Sequence, residues 1–464
     1  MLVMKFGGSS VADAESMRRV ADLVAPRRDR DPVVVVSAAG RTTDELWRLL
    51  DLLESGEADA ARELAGRILR RHEEIAGAVS GEEAKSAREA VETQARLLGR
   101  LIDGMECLGE VSPRSRDAVL AVGESLSAPL LAAFLRRAGV SAEALDPRKT
   151  VVTDDRHGCA APDAEATALR CRELLGGSLS RGVVPVIGGF VGSAPDGVTT
   201  TLGRGGSDLT ASLVARALKA EALEYWKDVD GIMSADPALV EEARPVARVS
   251  FREAAELAFL GARVLHPASI QPAVEAGVPV RVLNSFAPER PGTSICLAEA
   301  RGSGRDDPGG AITSIACKRD QLLVNVHATR MLGASGFLRR VFEVFERLEL
   351  SVDHVATSEV DVTVTLAATR AADRLAAELG EVAAVTVREG MGVVSVVGDR
   401  LSETTGVGAR IFRALAGTNV RLVTYGGFGV NLSLVVEDER VPEAVRALHR
   451  ELCRPEPKGE AERG

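Results

Sequence analysis

Two short stretches concentrate side chains and backbone suited to handling an anion. Lys5-Phe6-Gly7-Gly8-Ser9-Ser10 brings a lysine to the end of an apolar run, and two glycines then let backbone amides approach a ligand before helical spacing begins. Amides at a helix start beside a cation suit phosphate. Taken alone, a plain strand-to-helix turn with a solvated lysine explains the same residues. Thr199-Thr200-Thr201-Leu202-Gly203-Arg204-Gly205-Gly206-Ser207-Asp208 asks for more, because a surface loop accounts for its glycines but not for an arginine and an aspartate spaced among hydroxyls.

Common alternatives are missing. A P-loop needs Gly-Lys, and none of the seven lysines follows a glycine. The dinucleotide pattern GxGxxG fails at Gly203-Arg204-Gly205, where Asp208 stands at the last position, and at Gly406 with Gly408, where Ile411 does. The six histidines form no HExxH or clustered His/Cys metal set, so no protein metal site is expected, and a metal would be Mg²⁺ held by carboxylate and phosphate.

The elements that must position these residues follow from periodicity. Met1 to Phe6 is a short apolar strand ending at glycine, and Ala12 to Val24 has helical spacing. Val33 to Val36 is a β-branched run of the kind buried on both faces of a parallel sheet, and Val183–Val186, Ala222–Trp226 and Val278–Val282 repeat it. Helical patterns alternate with these runs, which predicts an α/β sheet covered on both sides. Asp44 to Leu108 lacks proline and keeps helix periodicity, so helices inserted at about 44–110 are expected. Residues 299–311 have linker composition. Beyond them the chain repeats at an offset of 70: Val324 with Val394, Gly336 with Gly406, Phe342 with Phe412, and Val364 with Leu434. The register holds across a strand, a glycine-entered helix and two further strands, which indicates duplication of a βαββ unit.

Length and composition agree. At 464 residues the chain exceeds one core's usual reach, and 45% hydrophobic with 27% charged residues is ordinary globular composition. A formal net charge of −10 repels nucleic-acid backbone and anionic membrane, and 3% aromatic content leaves little for base stacking. The six cysteines form no CxxC pair, and neither a signal pattern nor an uninterrupted apolar run of membrane-spanning length is evident, so a reduced, cytoplasmic protein is expected.

Together KFGGSSV, TTTLGRGGSD, Trp226-Lys227-Asp228-Val229-Asp230-Gly231-Ile232 with Asp236-Pro237, and Gly261-Ala262-Arg263-Val264-Leu265-His266-Pro267 closely resemble the aspartate kinase family, in order and along essentially the whole chain. The resemblance implies an amino-acid-kinase three-layer αβα sandwich with a mainly parallel sheet over 1–298. It also implies two C-terminal βαββαβ ACT-type domains, at 312–388 and 389–456 with interleaved units, before a tail at 457–464. It implies transfer of the ATP γ-phosphoryl group to the L-aspartate side chain, the first step towards lysine, threonine and methionine, with Mg²⁺ carried on the nucleotide phosphates.

By that resemblance Lys5 contacts the transferring group, and Gly7, Gly8 and Ser9 surround it. Arg204 grips the substrate α-carboxylate, Glu124 takes its ammonium, Ser207 and Thr42 orient it, and Asp208 organises the lysine and phosphate end. Without the family, Glu124 reads as a helix-capping carboxylate. Lys227, Asp228, Met233, Asp236 and Arg263 fall where the family binds nucleotide. Lys227, Met233 and Arg263 depart from its frequent residues, and a bland turn also explains Asp228 to Gly231. Met331, Phe337, Leu338, Ser351, Val352, Asp353, Thr357, Ser358 and Glu359 resemble the effector pocket of lysine-inhibited members, with Asp353 and Glu359 holding a basic amino acid. The implied assembly is a homodimer or homotetramer through the ACT domains, without nucleic acid or membrane. Two other readings stay open: a non-catalytic amino-acid sensor, and an amino-acid kinase acting on a different carboxylate. A fused homoserine dehydrogenase is not expected.

Overall fold

The computed structural model describes residues 1–261, 265–296, 312–328, 335–426 and 429–453. It divides into two compact units, residues 1–232 with 264–300, and residues 233–263 with 301–464.

In the first unit the valine-rich runs become strands because β-branched side chains pack on a surface covered from both sides. They are β1 (Leu2–Phe6), β2 (Pro32–Val36), β3 (Ala142–Leu145), β4 (Val184–Gly188), β5 (Val191–Ser193), β6 (Thr199–Thr201), β7 (Ala222–Lys227), β8 (Val280–Asn284) and β9 (Thr293–Cys296). The main sheet runs β3-β4-β2-β1-β7-β8-β9. Every pair is parallel up to β8, and β9 turns back antiparallel. Every residue of β1 and β2 is buried. β5 and β6 form a separate antiparallel ribbon.

Helix Ala14–Val24, whose N-cap Asp13 accepts from the Ser16 amide at 2.8 Å, packs with helix Val122–Arg137. Helix Gly206–Leu218 packs with Ala164–Ser180 and Pro267–Glu275. These groups form the outer layers of the expected sandwich. The expected insertion consists of helices Thr42–Glu54, Ala58–Gly77 and Glu83–Leu108, whose Leu46, Leu50, Ile68, Leu98 and Ile102 join the main core.

Pro113–Arg137 is long and apolar enough to cross a membrane by length and composition, but most of it is buried inside the protein. Leu126, Leu130, Leu131 and Leu135 there are fully enclosed, as in a core helix between layers.

The second unit holds β10 (Ser314–His327), β11 (His354–Thr357), β12 (Asp361–Ala367), β13 (Ala384–Val397), β14 (Leu422–Tyr425) and β15 (Asn431–Glu437) in one antiparallel sheet, ordered β11-β12-β10-β13-β15-β14. The 70-residue repeat is visible in the backbone: helices Phe337–Arg347 and Val407–Ala414 both start after a left-handed glycine, Gly336 at φ 82° and Gly406 at φ 84°. Each repeat has its own core, one around Val324, Val341 and Leu375, the other around Val394, Ile411 and Leu448. The repeats interleave, because β10 pairs with Val393–Val397 through Ser314–Lys318 and, after a register shift, with Ala384–Arg388 through Leu323–His327. The compact units also divide differently from the sequence boundary at 298. Residues 233–263 group with the repeats, since Ala235 and Val240 bury in the second repeat's core and the Ile315 amide donates to the Ser234 carbonyl at 2.9 Å.

Candidate active site

Parallel strands release their carboxyl ends at one edge, where crossover loops leave room for a ligand. Four such ends meet here. β1 ends at Lys5-Phe6, β2 at Val36, β4 at Gly188 and β7 at Lys227, with β1 central between β2 and β7.

Lys5 is 5% exposed, and its Nζ lies 2.6 Å from Asp208 Oδ1. Lys227 Nζ reaches Asp208 Oδ2 at 3.1 Å. Asp208 occupies the first turn of helix Gly206–Leu218, where the helix dipole favours negative charge. Burial opposes its ionisation, but the two ammonium groups overrule it and hold its pKa below the ordinary value. Burial and neighbouring Lys5 push Lys227 below its ordinary value, against the pull of Asp208. Two enclosed cations, Lys5 buried and Lys227 half-buried, share one carboxylate and leave an excess positive charge. That excess is what a phosphoryl group would meet.

Close approach of the loops depends on particular glycines. A Cβ on Gly8 would stand 2.8 Å from the Gly40 carbonyl oxygen and 2.9 Å from that of Ala38, so only glycine lets the β1 and β2 loops touch. The Gly40 amide donates to the Gly8 carbonyl at 2.9 Å across the same junction. Gly7 is less confined, its nearest neighbour being the Trp226 oxygen at 3.9 Å. Ser9 opens a short 3-10 turn after Gly8.

Glu124 lies in the first turn of helix Val122–Arg137 and is 2% exposed. Its Oε1 accepts from the Ala38 amide at 3.1 Å, while Oε2 has no hydrogen-bond partner among the described residues. Burial raises its pKa to about 8, against the opposing pull of the Ala38 amide and of Lys5. A buried carboxylate with one oxygen free, beside a lysine, is built to receive a donor. Capping alone does not explain that position.

Ser207 stands against the end of β4, where a Cβ on Gly189 would fall 2.6 Å from Ser207 Cα. Arg204 is exposed between Gly203 (φ 73°) and Gly205 (φ 75°) and makes no ion pair among the described residues. It precedes by four residues the aspartate that Lys5 grips. Thr42 is fully buried; its hydroxyl donates to the Ala39 carbonyl at 2.6 Å and accepts from Arg71 at 2.9 Å. Of the expected substrate contacts, Thr42 is the one whose proton is already committed. Asp228 is exposed just beyond β7. Met233 and Asp236 belong to the second unit, where the Asp236 carboxylate accepts from the Ala238 amide at 2.9 Å. Arg263 lies outside the described residues.

Lys5, Asp208 and Lys227 thus form one charge cluster at the strand ends, and Glu124 offers an oxygen without a partner among the described residues from the start of a helix; comparison with known proteins says which family carries them. The amino acid kinase family profile matches residues 1–284, and an ACT domain profile matches 394–452. Lysine-sensitive aspartokinase 3 of Escherichia coli is 37% identical, over 97% of this chain and 99% of that protein. The chain belongs to the aspartokinase family. Aspartokinase 1 of Arabidopsis thaliana, a chloroplastic protein, is 37% identical over 97% of this chain and 79% of its own length. Among solved structures, E. coli aspartokinase III in complex with aspartate and ADP (R-state) superposes with a TM-score of 0.78 at 35% identity, covering 98% of this chain and all of that one. The same enzyme with lysine and aspartate (T-state) gives 0.80 at 35% identity over the same shares. Aspartokinases are ATP-dependent kinases that phosphorylate the aspartate side-chain carboxylate.

The residues expected to hold an effector divide. Asp353 is well enclosed, with side-chain exposure of 9%, and its Oδ2 already accepts from Lys318 Nζ at 2.8 Å. The Lys318 ammonium also sits 4.2 Å from the centroid of the Phe259 ring, a cation–π contact. Phe337 is buried at the start of helix Phe337–Arg347, and Val352 packs on the same core. Leu338, Ser351, Thr357 and Glu359 are exposed, and the Ser358 hydroxyl accepts from the Asp361 amide within the turn between β11 and β12. Met331 lies outside the described residues.

Sequence reasoning passed over Gly188-Gly189, Asp117 and Lys318. Two of the three carry a signal in the sequence: a double glycine after a buried strand, and a rare lysine in a chain with only seven.

Proposed function

We propose that Lys5 and Lys227 hold the γ-phosphoryl end of ATP, with Asp208 fixing both ammonium groups, while Arg204 and Glu124 bind the α-carboxylate and the ammonium of L-aspartate. The observation that carries this reading is the Lys5–Asp208–Lys227 cluster on the same strand ends as Glu124, whose partnerless Oε2 matches an incoming ammonium. Phosphoryl transfer has a loose transition state, so alignment of two anions and neutralisation of charge supply most of the rate.

Gly7, Gly8 and Ser9 line the phosphoryl side, Gly8 and Ser9 with backbone amides and Ser9 with its hydroxyl, while the Gly7 amide is held by the Trp226 carbonyl at 3.2 Å. Ser207 orients the acceptor. Thr42 holds the Ala39–Gly40 turn in place, its hydroxyl spent on Ala39 and Arg71. Asp228 serves the nucleotide side. A Mg²⁺ in this reading arrives on the nucleotide phosphates, with oxygen donors as that ion prefers. Bound there, it would neutralise phosphate charge.

An amino-acid effector occupies the first repeat in the same reading, with its ammonium on Asp353. E. coli aspartokinase III has been solved with lysine, which makes lysine the first candidate. Its ammonium must take the place of Lys318 on Asp353. The protein acts in the cytoplasm as a homodimer or homotetramer joined through the ACT repeats.

The test is a panel of acceptors assayed for ADP release and for acyl phosphate trapped as hydroxamate. L-Aspartate alone should give both products. Preference for L-glutamate or N-acetylglutamate would refute the acceptor assignment, and no turnover with any acceptor would favour the sensor reading.

A further inference from the structure

Asp117 is a fully buried carboxylate on helix Pro113–Leu120 that none of the assignments above uses. It faces no lysine or arginine in ion-pair range among the described residues. Three donors from two other segments satisfy it instead. Thr201 Oγ1 donates to Oδ1 at 2.6 Å, the Gly158 amide lies 3.1 Å from both oxygens, and His157 Nδ1 lies 2.7 Å from Oδ2. An ionised carboxylate only accepts, so Nδ1 carries the imidazole proton in this contact.

The elements joined at this point are those that carry the two substrate-binding groups. Helix Pro113–Leu120 runs through Ala121 into the helix whose first turn holds Glu124. Thr201 ends β6, and Leu202-Gly203-Arg204 follows directly. The loop that includes His157 and Gly158 backs the arginine turn. The Ala160 amide donates to the Thr201 carbonyl at 2.9 Å, and a Cβ on Gly203 would lie 3.3 Å from the Gly158 carbonyl oxygen and 3.5 Å from Cys159 Sγ. The exposed Arg204 therefore gains its position from a strand end whose last side chain is fixed to a buried charge. Hydrogen bonds to a charged, desolvated acceptor are among the strongest local constraints available.

We propose that Asp117 is a positioning residue that locks the Arg204 turn to the Glu124 helix through Thr201, His157 and Gly158, and so sets the spacing between the two groups that receive the ends of the amino-acid substrate. This rests on the reading that Arg204 and Glu124 bind aspartate. The consequence is specific to one substrate: loosening the joint costs aspartate recognition, while Lys5, Asp208 and Lys227 hold each other independently of it.

The test compares steady-state kinetics of Asp117→Asn, Thr201→Val and Thr201→Ser, with Arg204→Ala as reference. Asparagine keeps the shape but removes the charge and one acceptor, and valine keeps the shape of threonine without its hydroxyl. Both should raise the aspartate KM about tenfold, with kcat and the ATP KM within about twofold. Thr201→Ser, which keeps the donor and loses a methyl group, should behave as wild type. The proposal fails if Asp117→Asn and Thr201→Val leave the aspartate KM unchanged, if all three kinetic parameters decline together, or if serine is as damaging as valine. Should Asp117→Asn not fold, the Thr201 pair decides alone. Arg204→Ala separates the layers. If it leaves the aspartate KM unaltered, the substrate reading itself is wrong; if it raises that KM at least a hundredfold while Asp117→Asn and Thr201→Val leave it unchanged, only the positioning role is.

Discussion

Glu124 gives the account its most quantitative consequence. Burial lifts its pKa to about 8 from the ordinary 4.5, a disfavouring of the charged form by about 5 kcal/mol. Below pH 8 the ligand-free carboxyl is mostly protonated, and a neutral acid attracts an ammonium poorly. Only about a tenth of molecules carry the charge at pH 7, half do at pH 8, and about nine-tenths at pH 9. Wild-type kcat/KM for aspartate should therefore rise about fivefold from pH 7 to 8 and about tenfold by pH 9, with a much flatter profile for ATP. Binding at pH 7 should release about 0.9 proton, measurable by titration calorimetry in two buffers of different ionisation enthalpy. The same group makes a stability statement of fixed sign. Its folded pKa lies above its unfolded one, so the native state binds more protons, and the ligand-free protein loses about 1 kcal/mol from this group between pH 7 and 9. Glu124→Gln should remove the proton release and raise the aspartate KM by about a hundredfold or more. A wild-type aspartate profile that is flat between pH 7 and 9, with no proton release, would refute the reasoning.

Other substitutions separate packing from charge. Gly189→Ala places a methyl group 2.6 Å from Ser207 Cα, so it should cost about 2 kcal/mol in denaturant unfolding and weaken aspartate binding; an unshifted midpoint would contradict the close approach of the β4 end to Ser207. Lys318→Met removes the resident cation from Asp353 and should lower the lysine concentration for half-inhibition about tenfold, whereas Asp353→Asn should raise it at least as much. Inhibition that weakens in Lys318→Met would show that Lys318 supports the effector site and does not compete for it. Inhibition by threonine, unaffected by either change, would move the effector elsewhere.

Much of this architecture is legible because it rests on local pattern. Val33 to Val36 can be read as a doubly buried strand because four β-branched residues in a row have no other favourable place, and the 70-residue repeat survives as paired left-handed glycines at Gly336 and Gly406. The site was legible only where its residues share a short motif, as Arg204, Ser207 and Asp208 do. What escaped are contacts between distant segments. The burial that shifts Glu124 comes from packing of helix Val122–Arg137 against the β2 end, where a Cβ on Gly123 would meet Ala38 Cβ at 2.7 Å. The allegiance of residues 233–263 to the second unit depends on Ala235 and Val240 finding the core around Val394 and Leu448. Lys318 meeting Asp353 likewise needs the register of β10. Periodicity identifies an element and its buried face; it does not name the partner across the sheet.

The central claim is that the buried lysine at the end of the first strand handles the transferring phosphoryl group. Its most direct test is hydroxamate formation from Mg-ATP and L-aspartate by the Lys5→Ala variant, set beside wild type at saturating substrates. The account predicts a fall in kcat of about a thousandfold or more, with a folded protein that still binds aspartate. Turnover within about twofold of wild type would contradict it.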